Sequence, residues 1–210
     1  MNLTVLAPAA IALTTLTATG PILRARPAPE GESSSPYRPL ATRGFIAATA
    51  AVSGLYAAVA LLLPFHTQPA WLVLAFVGVI GIAIDFRTMW LPLRLLRACG
   101  AMMALTLGMG WWTGALSGQD LLRAGVCGLL VGIFFGAFWL FGGMGYSDVP
   151  LTALCGVAAG LVSWPAAMVG CFTGSVLALV LAVTVHRGQN PVPYGPGLLI
   201  GFLVGAVALS

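Results

Sequence analysis

Two carboxylates are the residues of this chain best placed to do chemistry. The 210 residues include only five acidic ones, and Glu30, Glu32 and Asp120 fall in polar connecting stretches. The other two, Asp85 and Asp148, each lie where a long apolar run is expected to meet a turn. Because a carboxylate near lipid is costly, an ionisable residue there is expected to have a function. Two carboxylates placed alike suggest acid–base chemistry on one water molecule.

The composition places these carboxylates in a membrane protein. The chain is 60% hydrophobic and only 7% charged, which is too little charge to cover the surface of a soluble domain. The net charge of +4 therefore reports membrane topology, and we expect no nucleic-acid partner. The four cysteines form no C-x-x-C pair, so the sequence indicates neither a zinc site nor a disulfide framework. We expect no metal and no other cofactor.

Hydropathy predicts an all-α protein with about eight transmembrane helices and a short linker after the first. Residues 1–22 form the first helix, residues 23–43 are expected to be a disordered cytoplasmic linker rich in proline and serine, and residues 44–210 form one transmembrane domain. A signal peptide is the alternative for 3–22, although the basic segment that should precede it is missing. The later helices are expected at 45–63, 68–84, 98–115, 121–141, 149–163, 166–185 and 195–209, with a break at Trp164 and Pro165. Several are shorter than the roughly 20 residues that cross the hydrocarbon.

The arginines orient these helices. With the N-terminus outside, eight of the nine basic residues fall in the predicted inner loops, and only Arg123 lies near the outer face. Cytoplasmic loops carry such an excess of arginine in membrane proteins. Asp85 and Asp148 would then both lie at the cytoplasmic ends of their helices. The inner loops are 23–43, 85–97, 142–148 and 186–194.

Each carboxylate also has a purely structural interpretation. Asp148 comes two residues before Pro150, and an aspartate followed by proline is typical of a helix start. Asp85 could form an ion pair with Arg87 at the membrane interface. Gly142, Gly143 and Gly145 just before Asp148 are expected to give an irregular backbone that can take positive φ.

Three stretches of the chain resemble the motifs of one family. Residues 85–92 read D-F-R-T-M-W-L-P and resemble the D-x-R-T-x-x-[IL]-P stretch of type IV prepilin peptidases. Residues 143–149 read G-M-G-Y-S-D-V and are similar to the G-x-G-D motif of the same membrane aspartyl protease family. Residues 192–196 read V-P-Y-G-P and are similar to its [IV]-P-[FY]-G-P segment. The residues at the motif positions are Asp85, Arg87, Thr88 and Pro92 in the first stretch, Gly143, Gly145, Ser147 and Asp148 in the second, and Pro193, Gly195 and Pro196 in the third.

The resemblance implies an aspartic endopeptidase that removes the leader peptide of prepilins or pseudopilins at the cytoplasmic face of a bacterial plasma membrane. Asp85 and Asp148 would be its catalytic residues, and its partners would be prepilin leaders and the lipid bilayer. Longer family members carry a cytoplasmic domain with two C-x-x-C pairs after the first helix. Residues 23–43 contain no cysteine, so the chain is similar to the short form that processes Flp- or Tad-type pilins.

The chain also departs from the family pattern. Ser147 stands where the second motif has its second glycine, Pro150 where a lysine usually follows, and Leu93 where the first motif continues with Asn or Asp. Two other interpretations are therefore kept open. One is a catalytically silent relative that acts in the assembly of a pilus or a secretion apparatus. The other is a small transporter in which the two aspartates are proton or cation sites.

Overall fold

The computed structural model describes residues 3–25, 37–88, 91–184 and 193–210, and these residues are helical nearly throughout. A short 3₁₀ turn at Arg38–Leu40 precedes the second of eight long helices. No strand occurs in the described ranges, so the predicted all-α class is confirmed. The helices are α1 (Leu3–Ala25), α2 (Arg43–Ala60), α3 (Gln68–Thr88), α4 (Leu93–Trp112), α5 (Gly118–Leu140), α6 (Asp148–Val162), α7 (Trp164–Thr184) and α8 (Gly195–Ala208).

Six of these helices, α1 to α5 and α7, are long and apolar enough to cross a membrane. Helices α6 and α8 are apolar but have only 15 and 14 residues, so the predicted count of eight spans depends on these two. Large apolar side chains are exposed along the outside of the bundle, among them Leu129, Ile133, Phe134, Phe172 and Leu179. A soluble protein rarely exposes so much contiguous apolar surface. The chain is built as a multi-pass membrane protein.

Three helix boundaries near the candidate site differ from the sequence prediction. Helix α4, expected at 98–115, spans Leu93–Trp112. Helix α3 continues three residues past Asp85 to Thr88, so Asp85 lies inside a helix and the expected turn at that position is wrong. Trp164 and Pro165 were expected to separate two helices, but they form the first turn of α7. Proline is well tolerated there because the first backbone N–H groups of a helix have no partner within the helix. The break is the single extended residue Ser163.

The ends of the predicted linker belong to ordered structure. Helix α1 runs through Ala25, and Leu23 in its last turn is fully buried. Tyr37 is buried, and the 3₁₀ turn that follows leads directly into Thr42, whose side chain caps α2. Residues 26–36, the middle of that linker, lie outside the described ranges.

Small residues let neighbouring helices approach closely. Helices α7 and α8 pack through a glycine stripe in which a methyl group at Gly201 would overlap the backbone of Gly174. Such small-residue contacts are typical of membrane helix pairs, where lipid provides no hydrophobic drive for association. The glycine stripe consists of Gly170, Gly174 and Ala178 on α7 and Gly197, Gly201 and Gly205 on α8. This packing fixes the position of α8 against α7.

Helices α5 and α6 are tied together at the end of the bundle away from Asp148. Arg123 donates hydrogen bonds to the carbonyl oxygens of Gly160 and Leu161 in the last turn of α6, at 2.6 and 2.7 Å. It also pairs with Asp120 at 2.9 Å, and Asp120 forms a capping box with Ser117 at the start of α5. Asp120 therefore has a structural role remote from the other two aspartates.

Helix α3 contains a π-helical segment, Leu74–Gly78, about two turns before Asp85. The backbone N–H of Val79 donates to the carbonyl of Leu74, five residues earlier, whereas an α-helix bonds four residues back. Such a segment holds one surplus residue and is often found near functional sites. Because it changes the helical phase, it sets which way the C-terminal half of α3 presents Asp85.

Candidate active site

Asp85 lies in the last turns of α3 with only 5% of its surface exposed. Its Oδ2 atom is buried and has no hydrogen-bond partner among the described residues. The ion pair that the sequence allowed with Arg87 is not formed: Arg87 is exposed, and the ion pair found in the described ranges joins Asp120 and Arg123. An uncompensated buried carboxyl group is costly for a fold. A purely structural role for Asp85 therefore has no contact to support it.

Asp148 is the first residue of α6 and is equally buried, at 5% exposed. The N-cap position is occupied by Ser147, whose side chain makes no capping bond, so the interpretation of Asp148 as a helix cap is wrong. Its backbone N–H donates to the carbonyl of Gly145 at 3.1 Å. A methyl group on Gly145 would lie 3.3 Å from Asp148 Oδ2. The carboxyl group thus lies directly against the Gly145 backbone.

The turn that leads to Asp148 has a defined shape. Gly142 takes φ +73°, and the N–H groups of Gly142 and Gly143 donate to the carbonyls of Trp139 and Phe138, each at 2.9 Å. This is the Schellman arrangement that ends many helices. Tyr146 packs edge-on against Trp139 with ring centroids 5.2 Å apart. Of the three glycines expected to take positive φ, Gly142 does so; Gly145 instead leaves space for the carboxyl group.

The start of α8 lies between the helices that carry the two aspartates. A methyl group on Gly195 would lie 3.4 Å from Asp85 Oδ2, 3.0 Å from Ile82 Cγ2 on α3, and 3.5 Å from Leu151 Cδ2 on α6. Leu151 follows Asp148 by less than one helical turn. Gly195 therefore brings the third motif stretch against residues next to both of the others.

Asp85 and Asp148, called the carboxylate pair below, lie at the end of the bundle where Gly195 meets α3 and α6. Gly195 lies between the helices that carry them, both side chains are buried, and neither is paired with a cation in the described ranges. Two carboxyl groups held in this way do not both ionise easily, so one can retain a proton while the other is ionised. Acid–base chemistry on a single water molecule would require both carboxyl groups to reach that water.

The other predicted site residues surround this pair to different degrees. Pro92 is buried at the N-cap position of α4, and Thr88 donates a hydrogen bond to the carbonyl of Ile84 at 2.9 Å. The Thr88 bond lies within the last turn of α3, one turn after Asp85. The remaining residues differ in exposure: Pro193 is buried, Ser147 and Pro196 are half-buried, and Arg87, Gly143 and Gly145 are exposed.

A cleft of about 270 Å³ borders the second and third motif stretches. Gly143 and Met144 line it from the turn before α6, Tyr194 from the start of α8, and Phe138 from α5. Met144 and Tyr194 were not predicted as site residues, although both lie inside the matched stretches. A variable position within a motif gives no sequence signal for a lining role, since only the fold shows which way it faces.

No group of three or more His, Cys, Asp or Glu side chains that could hold a metal ion is found in the described part of the chain. No family model matches the chain, and neither a curated protein nor a solved structure is significantly similar to it. The functional interpretation therefore depends on the site geometry and on the three motif stretches.

Proposed function

We propose that this protein is a membrane aspartic endopeptidase that removes leader peptides from prepilin- or pseudopilin-like substrates. The observation that supports this most directly is the meeting of three stretches distant in sequence. Asp85, the α6 segment that begins at Asp148, and Gly195 come together through the contacts of Gly195 with Asp85 and Leu151. These are the same stretches that resemble the prepilin peptidase motifs. Their proximity in the fold supports the proposal that they act together.

The carboxylate pair would act on one water molecule. The ionised member accepts a proton from the water as it attacks the scissile carbonyl, and the protonated member donates a hydrogen bond to that carbonyl oxygen. The negative charge of the tetrahedral intermediate is then stabilised by that donor. Burial of both side chains strengthens each of these interactions, because little bulk water screens them.

The turn beside Asp148 is suited to an extended substrate. Gly143 and Gly145 have no side chains and are exposed, so a peptide backbone could pass close to Asp148. The cleft lined by Met144 and Tyr194 adjoins the same turn. Ser147 is half-buried, and its Oγ would lie 3.7 Å from a methyl group on Gly145, so the residue that departs from the family pattern sits next to the proposed water site.

The site would face the cytoplasm of a bacterial cell, with the N-terminus outside. This orientation follows from the arginine distribution and from the position of the pair at the end of α3 and the start of α6. Thiol labelling of a single cysteine introduced at position 190, in a cysteine-free background, tests it. Labelling by an impermeant reagent added from outside intact cells would contradict it.

The proposed function is tested by replacing each aspartate with asparagine. Asp85→Asn and Asp148→Asn should each lower the processing of a co-expressed, tagged Flp-type pilin precursor by at least about 100-fold, because asparagine can neither hold nor accept the proton. The double variant should be no worse than either single one, since the pair acts as a unit. The measurement is the mass of the pilin recovered from membranes.

Asp120→Asn is the matched control, because it makes the same chemical change at the other end of the bundle. It should leave processing intact while weakening the contact with Arg123. Processing that persists in both Asp85→Asn and Asp148→Asn would refute the carboxylate pair. A wild-type protein that leaves the precursor intact, and becomes active with Ser147→Gly, would instead favour the silent relative.

A further inference from the structure

A long apolar groove separates α2, α3 and α8 on the outside of the bundle. Its walls include Val52 on α2, Ala83 on α3 and Ile200 on α8, and its volume is about 660 Å³. This lies within the range of about 300–1,000 Å³ for ligand sites in proteins. Neither Asp85 nor Asp148 lines the groove, although Arg87 and Pro196 of the matched stretches do.

The dimensions of the groove limit what it can hold. It extends along α2 from Thr42 to Tyr56, which is about 21 Å at 1.5 Å per residue. The hydrocarbon layer of one leaflet is about 15 Å thick, so the groove is long enough for a full acyl chain. The groove can therefore hold an extended hydrocarbon chain along its length.

One end of the groove is basic. Arg87 lines it directly, and Arg38 and Arg43 adjoin the lining residues of the 3₁₀ turn and of α2. Tyr56 lies beside Trp71 at the start of α3, so α3 returns antiparallel to α2 and Arg87 lies at the same end as Arg43. All three arginines are exposed, and none pairs with a carboxylate in the described ranges.

We propose that this groove binds an anionic phospholipid. One acyl chain would lie along the apolar walls, and the phosphate would contact Arg38, Arg43 and Arg87. Basic sites between membrane helices on the cytoplasmic side are suited to anionic headgroups, because each arginine near the surface adds to the attraction. The guanidinium group also binds phosphate with paired hydrogen bonds. Lipid binding requires no enzymatic activity, so the outcome of this test does not depend on whether the proposed function is correct.

The test is a lipid titration of the purified full chain, delipidated in mild detergent and observed by native mass spectrometry. Phosphatidylglycerol should bind more tightly than phosphatidylcholine with the same acyl chains. Each arginine contributes about fivefold, so the triple change Arg38→Gln, Arg43→Gln and Arg87→Gln should weaken phosphatidylglycerol binding on the order of 100-fold. It should leave the weak binding of phosphatidylcholine nearly unchanged.

Two matched controls separate the groove from general surface charge and general folding. Arg94→Gln with Arg97→Gln removes two exposed arginines of α4 that do not line the groove, and should leave lipid binding intact. Val52→Trp should fill the groove and weaken both lipids, whereas Leu105→Trp on the exposed side of α4 should not.

Three results would overturn the proposal. One is equal affinity for the two lipids in the wild-type protein. Another is an equal loss of phosphatidylglycerol binding in the α4 control and in the triple variant. The third is unchanged binding of both lipids in Val52→Trp.

Discussion

Replacing Gly195 with alanine would place one methyl group where α3, α6 and α8 meet. That methyl group would lie 3.0 Å from Ile82 Cγ2, whereas carbon atoms in good contact are about 3.5–4.0 Å apart. It would also lie 3.4 Å from Asp85 Oδ2 and 3.5 Å from Leu151 Cδ2. The strain is relieved when Ile82 and the end of α3 shift away from α8, and a shift of α3 displaces Asp85 relative to Asp148 on α6.

The size of the effect follows from these distances. A shift of about 0.5 Å relieves the contact with Ile82, and misplacing a catalytic group by about 1 Å costs roughly 100-fold in rate. We therefore expect Gly195→Ala to slow precursor processing about tenfold or more. Packing one surplus methyl group into a filled site should lower the free energy of unfolding by about 1–3 kcal/mol, which leaves most of the protein folded.

The assay is the initial rate of pilin-precursor processing, divided by the amount of monodisperse protein recovered from the same membranes. Gly125→Ala is the matched control: it makes the same change inside α5, where a methyl group would meet no atom within 4 Å. That variant should keep the wild-type rate and gain up to about 1 kcal/mol from its helix propensity. If Gly195→Ala kept the wild-type rate per amount of folded protein, Gly195 would have no role in positioning Asp85.

Three further predictions follow from the same structure. Ser147→Gly should preserve or raise processing, because it removes a side chain beside the proposed water site; a large loss in the same assay would contradict this. Deletion of residues 27–36 should leave membrane insertion and processing largely intact, since that stretch has the composition of a linker; normal expression without activity would show that it binds substrate or a partner. Gly201→Val should lower the free energy of unfolding by about 3 kcal/mol or more, because the glycine stripe has no room for a side chain. Thermal unfolding would measure it, and Gly108→Val, where a methyl group meets no atom within 4 Å, should change it much less.

Hydropathy predicted helix ends correctly where the helix stops at the end of its apolar run. It failed where the helix continues into polar residues. The α5 end near Phe141 and the α6 start near Asp148 agree with the sequence. Helix α3 continues past Asp85 because backbone hydrogen bonds do not depend on side-chain polarity, so Arg87 and Thr88 remain helical. Sequence alone cannot separate the end of a membrane span from the end of a helix.

The identity of the candidate site residues could be predicted, but their contacts could not. Asp85 and Asp148 were identified from their position in apolar surroundings, and both are buried in the fold. The contact of Gly195 with Asp85 joins residues 110 positions apart, and the π-helical segment that orients Asp85 depends on packing around α3. Such features are decided by tertiary structure, which local propensity does not encode.

The glycine stripe has a consequence for how this sequence can diverge. At Gly197, Gly201 and Gly205 even one methyl group would collide with the α7 backbone, whereas Met168 and Phe172 on the exposed side of α7 touch mainly the surroundings of the protein. Mutations at the exposed positions can exchange one apolar residue for another at little cost, while the small residues have no acceptable substitute. Distant relatives should therefore keep the four-residue spacing of glycines in their last helix long after their overall identity has been lost.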